Sequence, residues 1–120
     1  MNTLKIGIAS REAYKTRTLA IAKGKYVPAK NEPEVWFDSL GTLSQLLSDQ
    51  NRSLLRLILQ KQPKSLHELA KVSGRATSNL SRTLRTMERY GLVQLEQGPN
   101  RQLVPRVNYS GVEFTVSFQA

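Results

Sequence analysis

The segment Ser65-Leu66-His67-Glu68-Leu69-Ala70-Lys71-Val72-Ser73-Gly74-Arg75-Ala76-Thr77-Ser78-Asn79-Leu80-Ser81-Arg82-Thr83-Leu84-Arg85-Thr86-Met87-Glu88-Arg89-Tyr90-Gly91-Leu92-Val93 decides the fold of this chain. Its first four residues fit an S-x-x-E capping box, in which a hydroxyl and a carboxylate satisfy the open amide groups of a helix start. Leu66, Leu69, Ala70 and Val72 are expected inward, and Gly74 ends this helix after about two turns. The spacing then predicts a longer helix from about Thr77 to Tyr90, closed by Gly91. At roughly 100° per residue, Leu80, Leu84 and Met87 share one narrow arc. Ser78, Arg82, Arg85 and Arg89 fall opposite, flanked by Asn79, Ser81 and Thr86.

Upstream, a helix over 52–61 carries Leu54, Leu55, Leu57, Ile58 and Leu59, leaving only Arg52, Arg56 and Gln60 as a polar stripe. A helix that apolar is expected in the middle of a core, with Pro63 stopping it. Downstream the period changes from 3.6 to 2. Val93 and Leu95 alternate with polar residues, Gln97-Gly98-Pro99-Asn100 reads as a turn, and Leu103-Val104 begins a return strand, so a hairpin is expected. Pro105 suits only an edge strand.

The N-terminal part opens with an alternating strand, Leu4-Lys5-Ile6-Gly7-Ile8, and a helix from Arg11 to about Lys23 capped by Ser10. A proline-bearing linker spans Lys25 to Pro33, followed by extended Val35-Trp36-Phe37 and a helix presenting Leu40, Leu43, Leu46 and Leu47. Trp36 reads as a core aromatic, with a partner-binding anchor as the alternative. At the other end, Val112, Phe114, Val116 and Phe118 share one strand face, which suits pairing either with a neighbour or with the Leu4–Ile8 strand.

Charge separates these parts. The 120 residues hold 18 Lys or Arg against 9 Asp or Glu, net +9. Residues 1–50 carry seven cations and five acids, residues 51–106 eleven and three, and residues 107–120 a single acid. The excess therefore sits in one module, as expected for a protein that meets a polyanion and gains from counterion release. The absence of Cys removes disulfides, thiolate chemistry and nearly all zinc sites, and a lone His67 makes no metal pair. The glycines lack phosphate-cradle spacing and the acids form no catalytic pair, so no enzyme, cofactor or metal is expected. No apolar run reaches the roughly 20 residues of a membrane span, and the first residues lack a signal-peptide pattern, which leads to the expectation of a cytoplasmic protein.

Helix, tight turn, longer helix and hairpin in this order make a winged helix-turn-helix. The second helix divides as a DNA reader needs: one face for the core, one of arginines and small hydrogen-bonding groups for the major groove. Arg bonds guanine bidentately, Asn bonds adenine, and Ser and Thr reach phosphates. Arg101, just past the hairpin tip, suits a minor-groove or phosphate contact. Lys61, Lys64 and Lys71 suit backbone contacts or plain solvation.

The sequence Ser65-Leu66-His67-Glu68-Leu69-Ala70, Ser73-Gly74-Arg75, Ser78-Asn79-Leu80-Ser81-Arg82-Thr83-Leu84 and Glu88-Arg89-Tyr90-Gly91-Leu92-Val93 resembles the winged helix-turn-helix of small prokaryotic transcriptional regulators, MarR- and ArsR-like in the broad sense. That resemblance implies Thr77, Ser78, Asn79, Ser81 and Arg82 at the groove, with Arg101 on the wing. Ala76 departs from it, since many relatives carry Ser or Thr there, and its loss weakens the helix cap by roughly 1 kcal/mol. The N-terminal Leu4-Lys5-Ile6-Gly7-Ile8, Ser10-Arg11-Glu12 and Val35-Trp36-Phe37 also resemble the TumA-like antitoxins encoded beside a small toxin. This second resemblance implies that residues 1–35 hold a toxin and that the protein represses its own operon.

The expected architecture is α+β: an N-terminal strand–helix extension and linker (1–35), a winged helix-turn-helix (36–107) and a C-terminal strand (108–120). The expected DNA-contacting residues are Arg75, Thr77, Ser78, Asn79, Ser81, Arg82, Arg85, Arg89 and Arg101. A homodimer on a palindromic operator follows because one recognition helix touches few base pairs. A stand-alone regulator, and a winged helix that meets protein or RNA, remain as alternatives.

Overall fold

The computed structural model describes residues 2–25 and 32–116; most of the expected linker, and Phe118, lie outside them. Among these residues the chain is mixed α+β, with five α-helices and five short strands. They divide into two compact units, one of residues 46–110, the other of residues 2–45 with 111–116.

The N-terminal unit is organised by parallel pairing. β1 (Asn2–Ile8) lies beside β2 (Val35–Phe37), with Ile6 opposite Val35 and Ile8 opposite Phe37. Parallel strands need a long crossover, and α1 (Arg11–Ala22) supplies it, its first turn capped by the Ser10 hydroxyl accepting from Ala13 N–H at 3.2 Å. Trp36 is half-buried. Its ring covers Gly7, where a Cβ would come within 2.5 Å of it. The ring also meets α1, with the Arg17 guanidinium 5.0 Å from the ring centroid and the Tyr14 ring at 6.2 Å. Arg17 also pairs with Glu32 at 2.5 Å.

β5 (Tyr109–Thr115), whose residues from Gly111 onward belong to this unit, takes the other side of β1, giving the order β2-β1-β5. The choice that the sequence left open thus falls on β1. The expected apolar face of this strand is poorly covered, however, with Phe114 47% and Val116 42% exposed. Among the described residues, Leu4, Ile6, Phe37 and Leu43 are the buried apolar side chains of the unit. Leu43 lies on α2 (Leu40–Leu46), where the Ser39 hydroxyl accepts from Thr42 N–H at 3.1 Å. The boundary between the units differs from the expected one near residue 36, because β2 pairs with β1 and so belongs with the N-terminal part.

The basic unit contains α3 (Asp49–Lys61), α4 (Leu66–Ser73), α5 (Thr77–Arg89) and an antiparallel ribbon of β3 (Gln94–Gln97) and β4 (Leu103–Arg106). α3 starts three residues before the expected position, because the Ser48 hydroxyl caps it through Asn51 N–H at 3.2 Å. It is also less central than its composition suggests. Only Leu54 and Ile58 are fully buried, while Leu55, Leu57 and Leu59 are half-buried. In α4 the Ser65 hydroxyl accepts from Glu68 N–H at 3.0 Å, and the Glu68 carboxylate accepts from Lys64 N–H at 3.3 Å, one residue before the expected box. Gly74 closes the helix with φ +74°, a left-handed conformation that costs glycine little. Leu69 is buried as expected, but Val72 is 47% exposed instead of inward. Leu95 sits opposite Pro105, which is tolerated because each strand of a two-stranded ribbon is an edge.

Because Trp36 is the only tryptophan of the chain, its emission reports the β1–β2 packing directly. Gly7→Ala is expected to push the indole toward water, shifting its fluorescence to the red and costing about 1–3 kcal/mol in chemical denaturation.

Candidate nucleic-acid interface

The site begins with α5. Leu80, Leu84 and Met87 are all 0% exposed, which turns the opposite side of the helix toward solvent. Thr77, Ser78, Arg82, Arg85 and Arg89 are exposed there, with Asn79 and Ser81 half-buried at the margins. Arg85 Nε donates to Ser81 Oγ at 3.2 Å, and the Thr86 hydroxyl donates to the Arg82 carbonyl at 3.1 Å. Among the described residues no carboxylate pairs with Arg82, Arg85 or Arg89. Glu88, the single acid of α5, is drawn toward the ribbon, where its carboxylate accepts from Leu95 N–H at 3.1 Å. A row of guanidinium groups with no internal counter-ion attracts anions from outside.

Arg75 is placed differently from the α5 arginines. It is half-buried, and its guanidinium is clamped by three neutral oxygens. Nε donates to Asn79 Oδ1 at 2.9 Å, Nη1 to Asn51 Oδ1 at 3.2 Å and Nη2 to Thr83 Oγ1 at 3.3 Å. Asn51 in turn donates through Nδ2 to the Leu46 carbonyl at 2.9 Å. The network ties the first turn of α3 to the first two turns of α5. Neither Asn51 nor Thr83 is among the expected DNA-contacting residues. The spacing of four from Arg75 to Asn79 to Thr83 was a legible signal for part of it, but Asn51, 24 positions away, had none. Ala76 provides no side-chain cap, as its residue type predicts.

The ribbon tip carries Arg101, exposed and at φ +61°, directly after Asn100 at φ +58°. Asn tolerates this left-handed region, whereas for Arg it costs on the order of 1–3 kcal/mol. Gly98 closes the tip by donating its N–H to the Gln102 carbonyl at 2.7 Å, and a Cβ there would approach Val104 Cγ2 to 2.7 Å. Lys61, Lys64, Lys71 and His67 are exposed. Among the described residues no group of three potential metal ligands occurs, and no helix is long and apolar enough to cross a membrane.

The HVO_A0114 family model matches residues 46–114, more than half of the chain. The chain belongs to the HVO_A0114 family. The HVO_A0114 match begins at Leu46, where the basic unit begins, and runs through α3, α4, α5 and the ribbon into β5. No curated protein and no solved structure matches the chain.

Arg101→Gly relieves the left-handed arginine at the tip. Its expected effect on stability is nil or a gain of up to about 1 kcal/mol in urea denaturation; a loss greater than that contradicts the tip conformation.

Proposed function

We propose that the basic unit is a winged helix-turn-helix that binds double-stranded DNA in a sequence-dependent way and acts as a transcriptional repressor. The observation that carries this reading is the α5 face of Ser78, Arg82, Arg85 and Arg89, exposed and without a paired carboxylate among the described residues, behind which Leu80, Leu84 and Met87 are wholly buried. α5 serves as the recognition helix, α4 as its partner across the Gly74 turn, and the β3–β4 ribbon as the wing. Thr77 and Ser78 meet phosphates at the helix N-terminus, where backbone N–H groups and the helix dipole favour anions. Arg82 and Arg85 face base edges, and Arg89 and Arg101 track the flanking backbone. Two copies on a palindromic operator extend the contacted sequence beyond what one helix reaches.

A second reading adds a protein partner. α1 has no fully buried residue, and Tyr14 and Leu19 are 45% and 48% exposed, so this helix has apolar surface to offer. In an antitoxin that surface holds the toxin while the basic unit represses the operon. β1 is the middle strand of its sheet, so deleting residues 1–35 removes the sheet as well as the surface. Leu19→Glu is the better probe, expected to abolish toxin neutralisation in cells while leaving DNA binding intact.

The main reading is tested on the full chain with duplex drawn from its own upstream region. Arg82→Glu with Arg85→Glu is expected to weaken binding at least 100-fold, and the wild-type affinity to fall steeply with salt as bound phosphates release counterions. Unchanged duplex affinity in the double variant overturns the reading and favours an RNA or protein ligand.

A further inference from the structure

We infer that Arg75 sets the hydrogen-bonding polarity with which Asn79 faces the groove, so that the base read by Asn79 is one presenting acceptors, guanine above all, and not adenine. The inference rests on the DNA-binding reading and concerns which base that site selects.

A guanidinium only donates hydrogen bonds. The atom of Asn79 that Arg75 Nε meets at 2.9 Å is therefore the carboxamide oxygen, and the amide N–H2 is the end turned away from the clamp. Reading adenine bidentately requires both ends of the carboxamide, the oxygen accepting from N6 and the nitrogen donating to N7. The amide oxygen has two lone pairs, but its bond to Arg75 turns that end of the carboxamide into the clamp, and Asn79 presents its donors outward. The base edge that best answers two N–H donors is guanine, with acceptors at both N7 and O6.

Arg75 is held firmly enough to impose this polarity. Nη1 and Nη2 are anchored on Asn51 at 3.2 Å and Thr83 at 3.3 Å, and Asn51 is itself tied to the Leu46 carbonyl at 2.9 Å. The backbone N–H of Arg75 donates to Ser73 Oγ at 3.2 Å, which fixes the turn as well. Arg75 is thus a positioning residue: it acts on the operator through Asn79.

Two substitutions test this without depending on total affinity. Arg75→Leu removes the donor, frees the carboxamide to rotate and restores its fit to adenine. Asn79→Asp keeps the bond to Arg75 while replacing the outward donor by an acceptor. It also places an acid in the first turn of α5, where the helix dipole favours it, so that this variant folds. Binding selection on randomised duplexes with the full chain gives the base preference at each position. Asn79→Ala identifies the position that Asn79 reads, as the one where its preference is lost. The wild type is expected to prefer guanine there by about tenfold, and to lose about fivefold on 7-deazaguanine, which lacks the N7 acceptor. Arg75→Leu is expected to move the preference to adenine, and Asn79→Asp to move it to the donor-bearing cytosine or adenine.

A wild-type preference for adenine at that position, or an unchanged preference in both variants, overturns the inference. A merely structural Arg75 lowers affinity for every duplex alike and leaves the preference in place. Failure of the DNA-binding reading looks different, since the wild type then selects no sequence. In that case the clamp is still read by the Arg75 Nε–H resonance, expected to be slowly exchanging and lost in Asn79→Ala; its absence from the wild type refutes the clamp itself.

Discussion

Burial of Leu80, Leu84 and Met87 is the constraint on which the basic unit depends. Full burial of each such side chain contributes roughly 1.5–3 kcal/mol, and all three lie on one arc of α5 with no exposed surface. The cost of crowding Arg82, Arg85 and Arg89 on the opposite arc is smaller, because exposed charges a turn apart interact by about 1 kcal/mol in water and are screened by salt. The apolar arc therefore fixes the rotation of the helix, and the arginines follow. Their exposure is a consequence of packing on the far side.

The start of α5 is held by other means. Ala76 has no capping side chain, and the positive end of the helix dipole repels a cation such as Arg75. Three neutral acceptors on Asn51, Asn79 and Thr83 offset that cost, each net hydrogen bond contributing about 0.5–1.5 kcal/mol. The result braces the first two turns of α5 from the outside and couples them to α3. It also leaves a half-buried positive charge, without a carboxylate partner among the described residues, beside the surface assigned to DNA, which adds to the attraction for an anion arriving there.

The N-terminal unit follows a different logic. A parallel β1–β2 pair obliges the chain to cross over, and α1 is that crossover. The bare backbone of Gly7 lets the Trp36 ring lie against the sheet, and Arg17 and Tyr14 then approach the ring from α1. The helix is held by this aromatic cluster and by the Arg17–Glu32 pair, with no deeply buried residue of its own. Its apolar Tyr14 and Leu19 stay partly in water, the physical basis for reading a partner surface there.

Local chemistry alone specified much of this molecule. The Ser65 and Gly74 helix ends, the two faces of α5, the ribbon around Gly98-Pro99 and the strand at Leu4–Ile8 were all legible, because caps, periodicity and turn residues act within a few positions of themselves. What required tertiary structure was every feature built from distant residues. The parallel β1–β2 pair puts residues 35–37 with the N-terminal unit, whose boundary falls at Leu46, and β5 takes the other side of β1. The same holds for the exposure of Val72 and Phe114, whose apolar character implied burial but whose surroundings left them partly uncovered. Arg75 shows the difference most directly: its charge was readable from one letter, but its partner Asn51 lies 24 positions earlier, and only packing of α3 beside the turn brings the two within hydrogen-bonding reach.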